Sequence, residues 1–291
     1  LSLLIIIKPN AKKRAEKLLE WLKNACEKRD LSYSIFETTG EFANDLAKIK
    51  VMLSQFSKAV TLGGDGTLHL TVNALMGSTC TLALLPCGTG NDFSRGFSCN
   101  IADWQHAVFN NPTEVDIGQI NERYFINIAG VGFDAHVVNT LNNKTRGFAF
   151  SYSWTSFKEL FYYKPKQLNG VFTQGAEQYP NLMTVFANHK HFGGGLKIAP
   201  NASLTDGMVD CYQVRSGRVL CNVISFIKLF FNRHQHIKNL TYSHLSSAVI
   251  NTNGLLIEAD GELVGKTPAV VSVHAQALLF HIPIKKASTV K

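Results

Sequence analysis

Residues Ala59-Val60-Thr61-Leu62-Gly63-Gly64-Asp65-Gly66-Thr67 decide the first half of the chain. Ala59 to Leu62 has strand character and runs straight into a glycine turn, after which Thr67 to Met76 can be helical. Glycines at that junction let backbone N–H groups approach phosphate oxygens closely, and the start of a following helix adds positive potential. Thr67 can donate its hydroxyl to phosphate. Asp65 is out of place in an anion-binding loop unless it works through a metal ion or holds the loop by accepting backbone N–H bonds. A plain tight turn with an Asx-type hydrogen bond is the alternative.

Outward from this loop, strand and helix alternate. Leu3 to Ile7 is a continuous apolar run, as in a buried parallel strand, and Lys12 to Lys28 carries Ala15, Leu18, Leu19, Leu22, Ala25 and Cys26 at helical spacing. Tyr33 to Glu37 is a second strand. Phe42, Leu46, Ile49 and Leu53 mark a second helix, and Thr81 to Leu85 is a strand ending at Pro86. Such alternation predicts an α/β domain, a parallel sheet with helices on both faces, whose ligands sit at the carboxyl ends of the strands. After Gly118 the texture changes to short strands: Phe125 to Ile128, Met183 to Ala187, Val209 to Val214, Ala248 to Ile250, Leu255 to Glu258 and Ala269 to His274. Gly/Asn/Asp clusters separate them, which predicts a mainly antiparallel β-sandwich, with helices inserted at Arg146 to Tyr163 and Arg218 to Phe231. The expected domains are 1–118, to which 277–291 can return, and 119–276.

Composition narrows the classes. The 291 residues are 45% hydrophobic and 17% charged, which excludes disorder and collagen, and no apolar run approaches the ~20 residues of a membrane span. The chain opens apolar then basic, the reverse of a secretory signal, and its six cysteines form no CxxC pair. Both features lead us to expect a cytoplasmic protein with reduced thiols. The net charge of +8 suits an anionic partner: nucleic acid, a membrane surface or a phosphorylated ligand. Nucleic acid is not expected, because the basic residues are dispersed and no recognised DNA- or RNA-binding motif is present. The pairs His189/His191 and His234/His236 lack a supporting cysteine or carboxylate at zinc spacing.

A second loop repeats the first at the end of the next strand: Pro86-Cys87-Gly88-Thr89-Gly90-Asn91-Asp92-Phe93. Taken alone, Asn91 or Asp92 could simply cap a helix. Two such loops at adjacent strand ends would face one cleft. With them in order come Val115-Asp116-Ile117-Gly118, Ala129-Gly130-Val131-Gly132-Phe133-Asp134-Ala135, and Asn188 with Gly193-Gly194-Gly195. Ile198-Ala199-Pro200-Asn201-Ala202 with Asp206-Gly207 follows, then Asp260-Gly261-Glu262. This ordered set resembles the diacylglycerol kinase catalytic-domain family, in particular the soluble bacterial lipid kinases, and is similar to sphingosine and ceramide kinases. The resemblance covers essentially the whole chain.

The resemblance implies an ATP- and Mg²⁺-dependent lipid kinase that transfers the γ-phosphoryl group to a lipid hydroxyl, with diacylglycerol first among acceptors and phosphatidic acid the product. Carried over residue by residue, nucleotide contacts fall on Thr39, on Gly63, Gly64, Asp65, Gly66, Thr67, Leu68 and His69, and on Gly88, Thr89, Asn91 and Asp92. Asp65, Asp92 and Asp116 correspond to acids around a magnesium and water network, which suits a cation that keeps several waters and needs few carboxylates. Asp260 corresponds to the base for the lipid hydroxyl, with Glu262 beside it, although Asp-Gly is also a hairpin signal. A structural metal is implied at Asp206 with the backbone carbonyls of Ser203 and Met208. One departure stands out: the family's Asn-Pro-x-Ser-Gly turn is Lys8-Pro9-Asn10-Ala11 here, and Lys8, Lys12, Lys13 and Arg14 can supply charge in its place.

Two segments suit a bilayer interface. Phe148, Phe150, Tyr152, Trp154, Phe157, Phe161, Tyr162 and Tyr163 mix with Lys144, Arg146, Lys158, Lys164 and Lys166, and Glu159 is the single acid among them. Val223 to Phe231, continuing to Arg233 and Lys238, is the second. Either can instead be a core helix with snorkelling lysines. The expected partners are a lipid substrate at an anionic surface, met peripherally at the inner membrane face; oligomeric state stays open, a homodimer included. Two other readings remain: a kinase of a soluble acceptor such as NAD, and a nucleotide-sensing membrane-binding module without turnover.

Overall fold

The computed structural model describes residues 2–9, 13–143, 152–231 and 233–283. The chain divides into two compact units, Leu1–Val115 with Gln276–Lys291, and Asp116–Ala275. Among the described residues no helix is long and apolar enough to cross a membrane.

In the first unit β1 (Ser2–Ile7), α1 (Lys13–Glu27), β2 (Ser32–Glu37), α2 (Phe42–Leu53), β3 (Lys58–Gly63), α3 (Asp65–Leu75) and β4 (Thr81–Pro86) alternate, followed by the short helices α4 (Asp92–Arg95) and α5 (Ile101–Ala107). Strand pairing runs β2-β1-β3-β4, parallel throughout. Leu3 to Ile7 are all buried, as expected of a strand covered on both faces. Helix α1 turns Ala15, Leu18, Leu22, Ala25 and Cys26 inward on the spacing read from the sequence. Asn100 and Asp103 form a reciprocal capping box at the start of α5.

The second unit contains β5 (Thr113–Ile120), β6 (Arg123–Phe125), β7 (Ile128–Gly132), α6 (Phe133–Asn143), α7 (Tyr152–Glu159), β8 (Lys166–Phe172), β9 (Gly175–Ala187), β10 (His191–Phe192) and β11 (Leu196–Lys197). It continues with β12 (Val209–Arg215), α8 (Val219–Phe230), β13 (Leu240–Leu245), β14 (Ser247–Ile250), β15 (Leu256–Ala259), β16 (Glu262–Lys266) and β17 (Ala269–His281). Pairing within it is antiparallel: β9 bonds β7, β8 and β12, and β15 bonds β7 and β16. Strand period decides which core each side chain joins. Met183, Val185 and Ala187 of β9 enter one apolar cluster with Phe133 and Phe226, whereas Phe186 enters another with Ile257 and Val271. Strand β17 begins in the second unit, paired with β14, and its far end pairs parallel with β4 through Phe280 and His281.

The fold class is the one read from the sequence, a parallel α/β unit and an antiparallel β-rich unit with helices. Several elements differ in detail. The strand expected at Phe125 to Ile128 is broken, ending at Phe125 and resuming at Ile128, because the N–H groups of Ile126, Asn127 and Ile128 turn onto the carboxylate of Asp260. Gly130-Val131-Gly132 ends strand β7, and α6, β8, β13 and β16 were not anticipated. Strand β8 buries only Leu168, Gly170 and Phe172 against exposed polar neighbours, so its apolar signal is thin. Of the helix expected over 146–163, the described part is Tyr152–Glu159; Lys144, Arg146, Phe148 and Phe150 lie outside the described residues, as do Asn10, Ala11 and Lys12.

Candidate active site

In the first unit the two glycine loops stand on neighbouring parallel strands, in register at Gly63 and Pro86, and the N–H of Cys87 donates to the carbonyl of Gly63 at 2.9 Å. The backbones then touch. A Cβ on Gly88 would lie 2.4 Å from the Gly64 Cα, and one on Gly64 would lie 2.9 Å from the Gly88 Cα. No side chain fits at either position, so glycine is required by the close approach of one loop to the other.

Helix α3 starts directly after this contact, with Gly64 as its cap and no side-chain capping bond. An uncapped start on an 11-residue helix is suited to anionic oxygens. Asp65 supplies the tie between the loops: its carboxylate accepts from the N–H of Asp92 at 3.1 Å and of Phe93 at 3.1 Å. A Cβ on Gly90 would be 3.1 Å from Asp65 Oδ2 and 4.0 Å from Asp92 Oδ2, so both carboxylates flank the same glycine. Asn91, left-handed at φ 53°, donates its side-chain amide to the Gly88 carbonyl. Thr89 and Gly66 are exposed, and Thr67 is half-buried against Gly63.

At three of the expected nucleotide positions the side chain is engaged within the fold. Leu68 and His69 are 1% and 0% exposed, because the helical turn directs both into the core, where His69 packs on Phe42. Neither side chain offers an atom to a ligand. Thr39 donates its hydroxyl to the buried Asp45 at 2.8 Å, and the same oxygen accepts from the N–H of Glu41. Its hydroxyl holds the start of α2. Burial raises the Cys87 thiol, and the charge of the exposed Arg14 pulls it back.

In the second unit, Asp116 is fully buried and its Oδ2 accepts from the Gly207 N–H at 2.6 Å. Its carbonyl and that of Ile126 both accept from the Asn188 amide. The structure therefore joins Asp65 with Asp92 in one unit, and Asp116 with the 203–208 loop in the other. Around Asp206 the side chains are tied locally. Asp206 Oδ1 accepts from the Met208 N–H, Ser203 bonds Thr205, and His244 stands 3.3 Å from Asp206 Oδ2. Among the described residues no three His, Cys, Asp or Glu side chains are grouped to hold a metal. The Asp65–Asp92 pair still fits Mg²⁺, which is commonly held by one or two carboxylates plus water and substrate phosphates.

Asp260 sits in a left-handed turn at φ 50° and accepts three backbone N–H bonds, from Ile126 at 3.1 Å, Asn127 at 2.9 Å and Ile128 at 3.1 Å. Those bonds make it the post of the β6–β7 break, while Glu262, beside it on the same turn, is exposed. A further pair escaped the sequence reading. A Cβ on Gly130 would fall 1.4 Å from Asp134 Oδ2 and 3.2 Å from Glu258 Oε1, so the two carboxyls converge over a bare Cα. They are 1% and 3% exposed, and neither Asp134 oxygen meets a hydrogen-bond partner among the described residues. Burial pushes Asp134 up to about 7. Burial first, then the Asp134 charge, raises Glu258 well above the usual carboxylate range, against the N–H of Gly261 that bonds it. Both shifts favour the protonated forms. The signal was Gly130 within a quoted motif, which names a close approach but not its partner.

With this geometry in hand, the comparisons are specific. Residues 2–120 match the diacylglycerol kinase catalytic domain, and residues 127–281 match the YegS C-terminal NAD kinase beta sandwich-like domain. A diacylglycerol kinase of Mycobacterium tuberculosis is 29% identical over 229 residues, 74% of each chain, and one of Bacillus subtilis is 28% identical over 229 residues. A solved diacylglycerol kinase from Bacillus anthracis has a similar fold, with a TM-score of 0.70 at 20% identity over 96% of each chain.

Proposed function

We propose that this chain, which belongs to the diacylglycerol kinase catalytic-domain family and is a lipid kinase of that family, uses ATP and Mg²⁺ to phosphorylate a lipid hydroxyl, diacylglycerol before others. The observation that carries the nucleotide half is the abutting pair of glycine loops, Gly64 against Gly88, at the uncapped start of α3. Backbone N–H groups there would bind phosphate oxygens, with Arg14 adding charge in place of the altered turn at Lys8-Pro9. Asp65 and Asp92 would hold magnesium, which when bound neutralises charge on the transferring phosphoryl group. Asp65 also orients the second loop through the N–H groups of Asp92 and Phe93.

For the acceptor, the turn 260–262 supplies the carboxylates. Phosphoryl transfer is largely dissociative, so the hydroxyl proton can leave late and a positioned carboxylate suffices. Asp260 is held by three N–H groups and Glu262 is exposed, which favours Glu262 as the proton acceptor and Asp260 as its support. The same reading puts the enzyme at the inner face of an anionic membrane, peripherally bound.

The test is labelled ATP with a lipid panel in mixed micelles, NAD⁺ included because the second domain's family is described as NAD kinase-like. Phosphatidic acid is the expected product. Label on NAD⁺ with none in lipid would overturn the acceptor assignment. Glu262→Gln is expected to lower kcat about 100-fold with folding intact. Asp260→Asn, which turns an amide toward N–H donors, should cost about 1–3 kcal/mol of stability as well. Full turnover in Glu262→Gln rejects Glu262 as the acceptor.

A further inference from the structure

Helix α8 is apolar on both sides. Inward, Val223, Phe226 and Leu229 join the core with Phe133. Its polar side chains are turned in as well: Asn222 and Ser225 are buried, bonded to Gly217 and Asn239. Outward stand Leu220, Ile224, Ile227 and Phe231, exposed by 70%, 44%, 42% and 66%. At 100° per residue these four fall within an arc of about 60°. A helix apolar all round is normally covered, and among the described residues this one is covered on one side only.

Charge indicates the cover. From Cys211 to Ile257 the chain has five Lys and Arg (Arg215, Arg218, Lys228, Arg233, Lys238) and no Asp or Glu. Arg218 precedes the helix, Arg233 and Lys238 follow it, and all three are exposed. Lys228 is drawn aside to the His236 carbonyl, which leaves the stripe itself uncharged.

We infer that the outward stripe of α8 is the face that docks on an anionic bilayer, its four apolar side chains entering the interface and the basic residues at both ends meeting headgroup phosphates. The choice of a bilayer over a protein rests on the lipid-kinase reading. Apolar entry supplies the adhesion, and the exposed basic residues at the two ends of the helix supply attraction to anionic lipid. A second copy of the chain would bring the exposed Arg218, Arg233 and Lys238 of each protomer toward one interface, which disfavours it.

The experiment is sedimentation of the full chain with phosphatidylglycerol-containing vesicles and with pure phosphatidylcholine vesicles, without nucleotide or acceptor. Expected is binding to the anionic vesicles, weakened at least ~10-fold by Leu220→Ser with Phe231→Ser. Arg233→Glu with Lys238→Glu should weaken it too, and added salt should do the same to wild type. These positions are exposed, so melting temperatures should hold, and turnover of a short-chain, monomeric acceptor should be unchanged. Unaltered sedimentation of the Ser variant overturns the inference, as does a wild-type dimer by light scattering that the same variant dissociates without loss of vesicle binding. Vesicle binding involves no phosphoryl transfer, so its failure leaves the kinase assignment to the lipid panel.

Discussion

At the scale of single residues, the nucleotide loops depend on atoms that are missing. Gly88 has no room for a methyl group because the obstacle is the Gly64 backbone, which no rotamer change can move. Gly88→Ala is therefore expected to part the two loops, costing about 1–3 kcal/mol in thermal melts. The ATP Kd should rise about 10-fold or more by calorimetry, and wild-type affinity would show that the contact is dispensable. Glycine spacing made both loops legible in the sequence. The same spacing said nothing of Leu68 and His69, where helical period overrides motif position and buries the side chains. Thr39 is a similar case: its partner Asp45, on the following helix, competes for the hydroxyl.

At the scale of elements, the carboxyl pair on α6 and β15 ties pH to stability. Burial, the Asp134 charge, and the negative charges of Asp260 and Glu262 favour the protonated form of Glu258, against the single N–H of Gly261. Asp134 has a folded-state value of about 7, above its ordinary 3.8, so the folded chain binds the extra proton. That stabilisation is complete below about pH 4 and is lost as pH rises through 7. Asp134→Asn keeps the uncharged shape, and its stability relative to wild type should grow by about 2 kcal/mol between pH 5 and pH 8, read from denaturant midpoints. A constant difference across that range would mean that the carboxyl is already solvated. The elements themselves were only partly legible. Long amphipathic α1 and the apolar strands β1, β3 and β4 announced themselves, whereas α6, with Val137, Val138 and Thr140 among asparagines, has weak intrinsic helix preference and depends on packing.

At the scale of the molecule, the end of the chain supports the loop near its middle. Phe280 of β17 is fully buried and lies flat on Phe93, rings 5.5 Å apart, immediately after Asp92. Phe280→Ala should cost about 3–5 kcal/mol by calorimetry and weaken nucleotide binding through Phe93; a loss below 1 kcal/mol would show that the site collapses without consequence. The residue order by itself determined the alternation of strand and helix, the two glycine loops, the change to antiparallel texture and the acid-free stretch around α8, because each is a property of neighbours along the chain. Tertiary structure alone decided which carboxylates meet, that Asp260 receives N–H groups more than 130 positions away, that Asp134 and Glu258 share the space over Gly130, and which side of α8 stays bare. Those outcomes depend on which of several competing partners a buried polar group reaches, and that competition is settled only when distant segments pack.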